Sequence, residues 1–323
     1  MGETSGLPRA KVLFYRDYRG FSGGHMKMWH YFTHVLASPG HEPLVRFSRQ
    51  SVWDDTNPWL HCRERVVSRW SRPEADVLFL GGVDWRNLPA RQRDGSRRPI
   101  VNLVQHVDHA DPHNVRYSFL RHRAIRICVS EEITAAITDT GRVNGPIFTI
   151  PDAIDLEALE DVPRPPTRDV DVLIVANKSP DVGRRLHRAL QDRDLRVDLL
   201  AGTVPRQQFL ARLTHARVAV FAPNRTEGFY LPALEAMALG TLVVCPDCVG
   251  NRSFCLPGQN SFRPHYDDKP MLDDVTAALE LPLGASEALV AGGLATARAH
   301  DLRQERQAFL AILADLDWLW AAG

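Results

Sequence analysis

The sequence predicts an α/β protein built from two doubly wound parallel sheets. Three observations carry that reading. Short, near-continuous Val/Ile/Leu runs recur, as strands buried on both faces require. Segments with apolar residues at helical spacing lie between them. A charged, proline-rich segment then interrupts the series, and a second series follows. The length of 323 residues agrees, at about 150 residues per domain.

The elements follow in order. Residues 11–15 (KVLFY) read as the first strand and 24–37 as a helix. Further strands are expected at 43–47, 77–80, 100–104, 125–129 and 147–150, with a helix at 131–139. Residues 157–169 (EALEDVPRPPTRD) hold Pro163, Pro165 and Pro166 among charges and read as a linker. The second series alternates strands at 170–175, 197–200, 218–222 and 241–245 with helices at 183–193, 205–215 and 231–239. The tail reads as helices at about 271–280, 285–299 and 302–320. Ligands of such sheets bind at the carboxyl ends of strands, so a cleft between the two halves is the expected site.

Composition narrows the class. Hydrophobic residues make up 44% and charged residues 24%, which excludes disordered, collagen-like and coiled-coil chains. No apolar run reaches the roughly 18 residues of a membrane span. MGETSGLPRAKVLFY lacks the long apolar core of a signal peptide, so a cytoplasmic location is expected. Basic and acidic residues balance at 39 each, which argues against nonspecific nucleic-acid binding. The balance is uneven: residues 1–150 hold 21 Lys and Arg against 15 Asp and Glu. Arginines crowd residues 63–72, 86–98 and 116–126. They read as solvated helix faces or as a surface for an anionic acceptor or a membrane.

Five cysteines, without a secretion signal, argue against a disulfide framework. Cys245, Cys248 and Cys255 have only His265 nearby as a fourth zinc ligand. Cys245 reads better as a small buried residue ending the run TLVVC. Asp267-Asp268 and Asp273-Asp274 read as surface acids rather than a metal-holding pair.

The most informative stretch is 223–251, PNRTEGFYLPALEAMALGTLVVCPDCVGN. Glu227 and Glu235 are separated by seven intervening residues, at a strand-to-helix turn. Amides at a helix start are unpaired and carry the positive end of its dipole, a ready site for a diphosphate. Gly228 permits close backbone approach. Glu227 is placed to accept sugar hydroxyls, and Glu235, about one turn into the helix, to hold a vicinal diol such as a ribose.

This E-x7-E block, filled as EGFYLPALEAMALGT, resembles the signature of retaining GT-B glycosyltransferases of the GT4 type, the glycosyl transferases group 1. The resemblance implies the GT-B fold: two Rossmann-like doubly wound domains facing across a cleft, with a C-terminal helix crossing back. It places an acceptor-side domain at 1–156, the linker at 157–169, a nucleotide-sugar domain at 170–300 and the returning helix at 301–323. Trp318 and Trp320 would pack there. Residues 151–155 (PDAID) resemble the family's PNGVD crossover, with Asp152 replacing Asn and Ala153 replacing Gly.

Other positions follow from the resemblance. Gly23 and Gly24, in SGGH, match the glycine loop whose amides reach the donor diphosphate. They are not part of a GxGxxG pattern, which weakens a dinucleotide-dehydrogenase reading. Lys178 and Arg184, six apart, match a diphosphate-gripping basic pair with the Arg and Lys identities exchanged; Arg185 rivals Arg184. Val204, after Gly202 and Thr203, begins the nucleobase pocket, and the backbone at Gly228, Phe229, Tyr230 and Leu231 meets the diphosphate. His106, in HVDH, matches the histidine that faces the donor sugar, with Asp108 and His109 as rivals.

The resemblance implies metal-independent transfer from a nucleotide-diphosphate sugar, UDP-sugar favoured and GDP-sugar the alternative, with retained configuration and no required cofactor. His106 and Glu227 are the catalytic candidates. The acceptor, a small molecule, glycan or lipid-linked sugar, is set by loops 16–21, 53–59 and 108–117. Tyr18, Trp53, Trp59 and Trp85 are stacking candidates there. Peripheral membrane contact through the basic first half fits a lipid-linked acceptor. Two other readings remain: another GT-B enzyme, such as an epimerase or phosphorylase, and a non-catalytic nucleotide-sugar-binding subunit.

Overall fold

The computed structural model describes residues 9–68 and 75–322. Residues 1–8 of the N-terminal reading, and Arg69 and Arg72 of the first arginine-rich stretch, lie outside the described residues. The chain divides into two compact units, Met1–Pro151 with Glu305–Gly323, and Asp152–Gln304.

The first unit runs β1 (Ala10–Arg16), α1 (Gly23–Leu36), β2 (His41–Phe47), β3 (Val77–Gly81), α2 (Ala90–Asp94), β4 (Ile100–Val104), β5 (Ile125–Cys128), α3 (Glu131–Thr138) and β6 (Ile147–Thr149). All neighbours pair in parallel, in the order β2-β1-β3-β4-β5-β6. Every residue of β3 and β4 is buried, which is why those runs are apolar throughout. Strand order reverses between β1 and β3, and loops at that switch point form the natural crevice of a doubly wound sheet. Arg126 in β5 breaks the apolar pattern, yet it is fully buried. Its guanidinium donates to the carbonyls of Phe119, Leu120, His122 and Asn144 at 2.6–3.1 Å.

The second unit runs α4 (Leu156–Glu160), β7 (Val170–Val175), α5 (Pro180–Gln191), β8 (Val197–Leu200), α6 (Arg206–His215), β9 (Ala216–Phe221), α7 (Leu231–Ala238), β10 (Leu242–Val244), α8 (Asp268–Leu279) and α9 (Leu283–Ala299). Its parallel sheet has the order β10-β9-β7-β8. Gly183 lets α5 approach this sheet, since a Cβ there would stand 2.3 Å from that of Ala176.

Three local outcomes differ from the sequence reading. Residues 157–169 are not a free tether. They open within α4, whose cap Asp155 accepts from the Ala158 amide at 3.1 Å. Arg168 then fastens the segment through carbonyls of Leu213, Ala216 and Leu239. The tail helix breaks at Asp315 into α10 (Leu302–Ala314) and α11 (Leu316–Ala322). Within α11, Trp320 packs on the first unit's core beneath Arg123, 4.5 Å from its ring, whereas Trp318 is 70% exposed. Two positions along a helix are about 200° apart, so only one of the pair faces inward.

Candidate active site

In the second unit, β7 lies between β9 and β8, so the loops leaving β7 and β9 meet at the switch point of its sheet. Tyr266 ties these loops together. Its hydroxyl donates to Pro223 O at 2.6 Å in one loop and lies 3.2 Å from Ser179 Oγ in the other. Arg225 stacks on the Tyr266 ring at 4.5 Å.

The segment 224–230 is supported from below by a second turn. Tyr230 N donates to Gly250 O at 2.8 Å, and Val249 N to Arg225 O at 3.0 Å. A Cβ on Gly250 would stand 2.6 Å from Phe229 N and 2.7 Å from Glu227 O, so only glycine fits beneath this backbone. Buried Asn251 fixes the supporting turn, donating to Pro246 O at 2.9 Å and accepting from Cys248 N at 3.2 Å.

These contacts refine the expected diphosphate cradle. The Tyr230 amide is already engaged by Gly250, which removes it from the amides open to a ligand. Pro232 has no N–H, so Leu231 supplies the open amide at the start of α7. The side chains of Phe229 and Tyr230 are buried. Phe229 stacks on Phe254 at 4.8 Å and Tyr230 meets Phe221 edge-on at 5.7 Å, so a ligand would meet only their backbone.

Glu227 is half-buried before α7, and Asn224 Nδ2 donates to its Oε1 at 3.0 Å. Glu235, in the second turn of α7, is fully buried. Arg206 at the start of α6 pairs with it at 2.5 Å. Burial pushes the Glu235 carboxyl up, Arg206 opposes that shift, and nearby Asp152 adds to it.

Lys178 is exposed in the loop between β7 and α5. Arg184 lies in the second turn of α5 and pairs with Asp181, and Arg185 pairs with Asp268. Val204 is half-buried, and Gly202 and Thr203 beside it are exposed.

In the first unit, Ser22 caps α1 by accepting from His25 N at 3.2 Å, which leaves Gly23 and Gly24 as its exposed first residues. A Cβ on Gly23 would meet nothing within 4 Å. His106 is half-exposed at the end of β4; its Nδ1 lies 2.9 Å from Asp108 Oδ1. His109 is buried, bonded through Nδ1 to His106 O at 3.0 Å, and burial holds its pKa down at about 4. Of the three rivals, His106 is the exposed histidine.

The stacking candidates fare differently. Tyr18, Trp59 and Trp85 are fully buried and serve packing. Trp53 is half-buried between Phe47 and Arg63. Cys245, Cys248 and Cys255 are free, buried thiols, and His265 is exposed. Among the described residues, no group of three or more His, Cys, Asp or Glu is arranged to hold a metal ion.

Residues 153–280 match the family of glycosyl transferases group 1. The chain is an enzyme of the glycosyltransferase class. No curated protein matches it. Solved structures agree in fold across nearly its whole length. Sucrose-phosphate synthase from Thermosynechococcus elongatus is 13% identical, with a TM-score of 0.70 over 98% of this chain and 100% of that one. HepE from Anabaena, in complex with UDP-glucose, is 16% identical, with a TM-score of 0.71 over 95% and 100%. A glycosyltransferase from Rickettsia africae ESF-5 is 10% identical, with a TM-score of 0.73 over 96% and 99%. This glycosyltransferase has the GT-B fold. Four residues that shape its second unit escaped the sequence reading: Arg206, Gly250, Asn251 and Tyr266.

Proposed function

We propose that the protein is a retaining, metal-independent glycosyltransferase of the GT4 type that uses a nucleotide-diphosphate sugar, UDP-sugar first. The observation that carries this reading is the switch-point constellation of the second unit. α7 carries a buried carboxylate and an amide-bearing start, an exposed lysine stands in the loop after β7, and Gly250 and Tyr266 brace the loops that leave β9 and β7. The HepE structure with UDP-glucose lends the choice of uridine its support.

In this reading Glu235 holds the ribose diol, the segment 202–204 meets the base, and Glu227 accepts hydroxyls of the donor sugar. Cleavage of the donor puts negative charge on the leaving phosphate. Lys178, the Leu231 amide and Arg184, released from Asp181, stabilise that charge more in the transition state than in the ground state. Retention follows a front-face course in which the leaving phosphate accepts the acceptor's proton, so no enzymatic nucleophile is assigned. Gly23, Gly24 and His106 are the first unit's contributions. His106 hydrogen-bonds the sugar, its imidazole oriented by Asp108. The acceptor carries a hydroxyl, and a cytoplasmic location with peripheral membrane contact remains part of the proposal.

Calorimetric titration of UDP, GDP, ADP and dTDP and their sugar conjugates, without divalent metal, tests the donor site. Selective binding of one nucleotide, weakened by Lys178→Ala and by Glu235→Ala, is expected. Equal binding by both variants and the wild type would remove the assignment. Donor hydrolysis or transfer lost in Glu227→Ala separates an enzyme from a binding subunit.

A further inference from the structure

The second unit contains two neighbouring departures from local rules. α7 is the apolar sequence LPALEAMA, buried along Ala233–Ala238, yet Glu235 stands where a leucine would pack. A carboxylate enclosed this way is costly unless paired. α6 begins with Arg206, and its first turn contains no acidic residue. A cation at a helix start opposes the helix dipole. Each departure is answered by the other, through the 2.5 Å ion pair between Arg206 and Glu235. Local rules broken in concert mark a site rather than a packing preference.

The pair is asymmetric. The Glu235 side chain is 4% exposed and that of Arg206 38% exposed. Arg206 therefore covers the open side of the carboxylate. It also follows directly on the 202–205 segment, which is mostly exposed. A nucleoside lying from that segment to Glu235 passes the guanidinium. Arg206 contacts Glu235 Oε1, and a carboxylate has further lone pairs on Oε2 for a hydroxyl.

We infer that Arg206 is a positioning residue for the nucleoside: it holds the buried Glu235 carboxylate charged and oriented to accept the ribose 2′- and 3′-hydroxyls. The inference rests on the reading of Glu235 as the ribose ligand. It makes Arg206 a determinant of ribose recognition. The charged groups acting on Glu235 are Arg206, from α6, and Asp152, from the segment before α4. Without Arg206, burial and Asp152 act together, and both favour the protonated acid. A neutral carboxyl accepts the diol less strongly.

The test is calorimetric titration of UDP, or of GDP if the wild type prefers it, and of the matching 2′,3′-dideoxynucleotide. Wild type, Arg206→Met, Arg206→Lys, Glu235→Gln and the Arg206→Met/Glu235→Gln double variant are compared at about pH 5.5 and about pH 8. Arg206→Met is expected to lose at least about tenfold in affinity for the ribonucleotide, with a larger loss at the lower pH. Arg206→Lys recovers part of it, the dideoxynucleotide shows no such difference, and the double variant is no weaker than Glu235→Gln alone. A merely structural role would give losses independent of pH and of the ribose hydroxyls. Arg206→Met binding within about twofold of wild type, or tighter, overturns the inference, as do additive losses in the double variant. If Arg206→Met fails to fold by circular dichroism, the pH dependence and ribose dependence of Arg206→Lys decide. A wild type that binds neither UDP nor GDP removes the donor-site reading and this inference with it. Wild-type binding indifferent to Arg206 removes the inference alone.

Discussion

Lys27 of α1 and Glu305 of α10 form a fully buried ion pair between residues 278 positions apart. Glu305 Oε1 also lies 2.8 Å from His34 Nε2, two turns further along the same face of α1. Both oxygens of the carboxylate are thus engaged inside the first unit. Lys27→Met leaves Glu305 enclosed without its cation, a loss of about 3–5 kcal/mol. Lys27→Met/Glu305→Leu removes both charges and is expected to regain most of it. Urea unfolding of the single and double variants measures both values; a single variant as stable as wild type would contradict the buried-pair account.

The same cluster sets a pH dependence. Burial, with Lys27 beside it, holds the His34 pKa down at about 2. An unfolded histidine takes up its proton near pH 6.5. Between those values the unfolded chain binds a proton that the folded chain refuses. The contribution is therefore fully present above about pH 6.5 and is lost as pH falls. His25 and His109, both lowered to about 4 by burial, act in the same direction. Buried Asp84, raised to about 6, opposes them as a single group. His34→Gln keeps a donor toward Glu305 without titrating. Its stability is expected to fall less steeply between about pH 6.5 and pH 4.5, by about 1.4 kcal/mol per pH unit. Urea unfolding of both proteins across that range gives the slopes, and parallel curves would refute the assignment.

Arg126 yields a third expectation. Its guanidinium serves the carbonyls that close the chain between residues 119–122 and Asn144. Burial lowers its pKa to about 10, well above neutrality, so the charge persists. Arg126→Met strands those carbonyls in the core, and a loss of at least about 3 kcal/mol is expected. Thermal unfolding measures it; a shift of only a degree or two would mean that water replaces the guanidinium.

The architecture was legible because its signals are local and repeated. The apolar runs at 77–80 and 100–104 became strands buried at every position. The E-x7-E block fell at a strand-to-helix turn, as its residues implied. Long-range pairing was not legible. Among 35 arginines, nothing in the local pattern separates Arg206, which answers a carboxylate 29 residues away, from Arg184, which meets an acid on its own helix. Tyr266 and Gly250 act across loops distant in sequence and likewise carry no local mark. The aromatic residues Tyr18, Trp59 and Trp85 misled for the converse reason: loop position suggested exposure, whereas side-chain size drew them into the core.

Two glycines separate ligand approach from chain packing. Gly250 lies against the backbone of residues 227–229, with contacts of 2.6–2.7 Å awaiting any Cβ. Gly23 opens α1 and faces empty space. Gly250→Ala must displace the loop that holds Glu227, so both stability and nucleotide affinity fall. Gly23→Ala has no steric cost in the free protein and gains about 0.4–1 kcal/mol through the unfolded chain. If Gly23 serves close approach of the donor, that added methyl instead costs turnover, by about tenfold or about 1.4 kcal/mol of transition-state stabilisation. Unfolding midpoints and kcat/KM for the two variants, measured side by side, distinguish the roles. A Gly23→Ala enzyme with full activity would remove Gly23 from the donor site and leave it as a helix start alone.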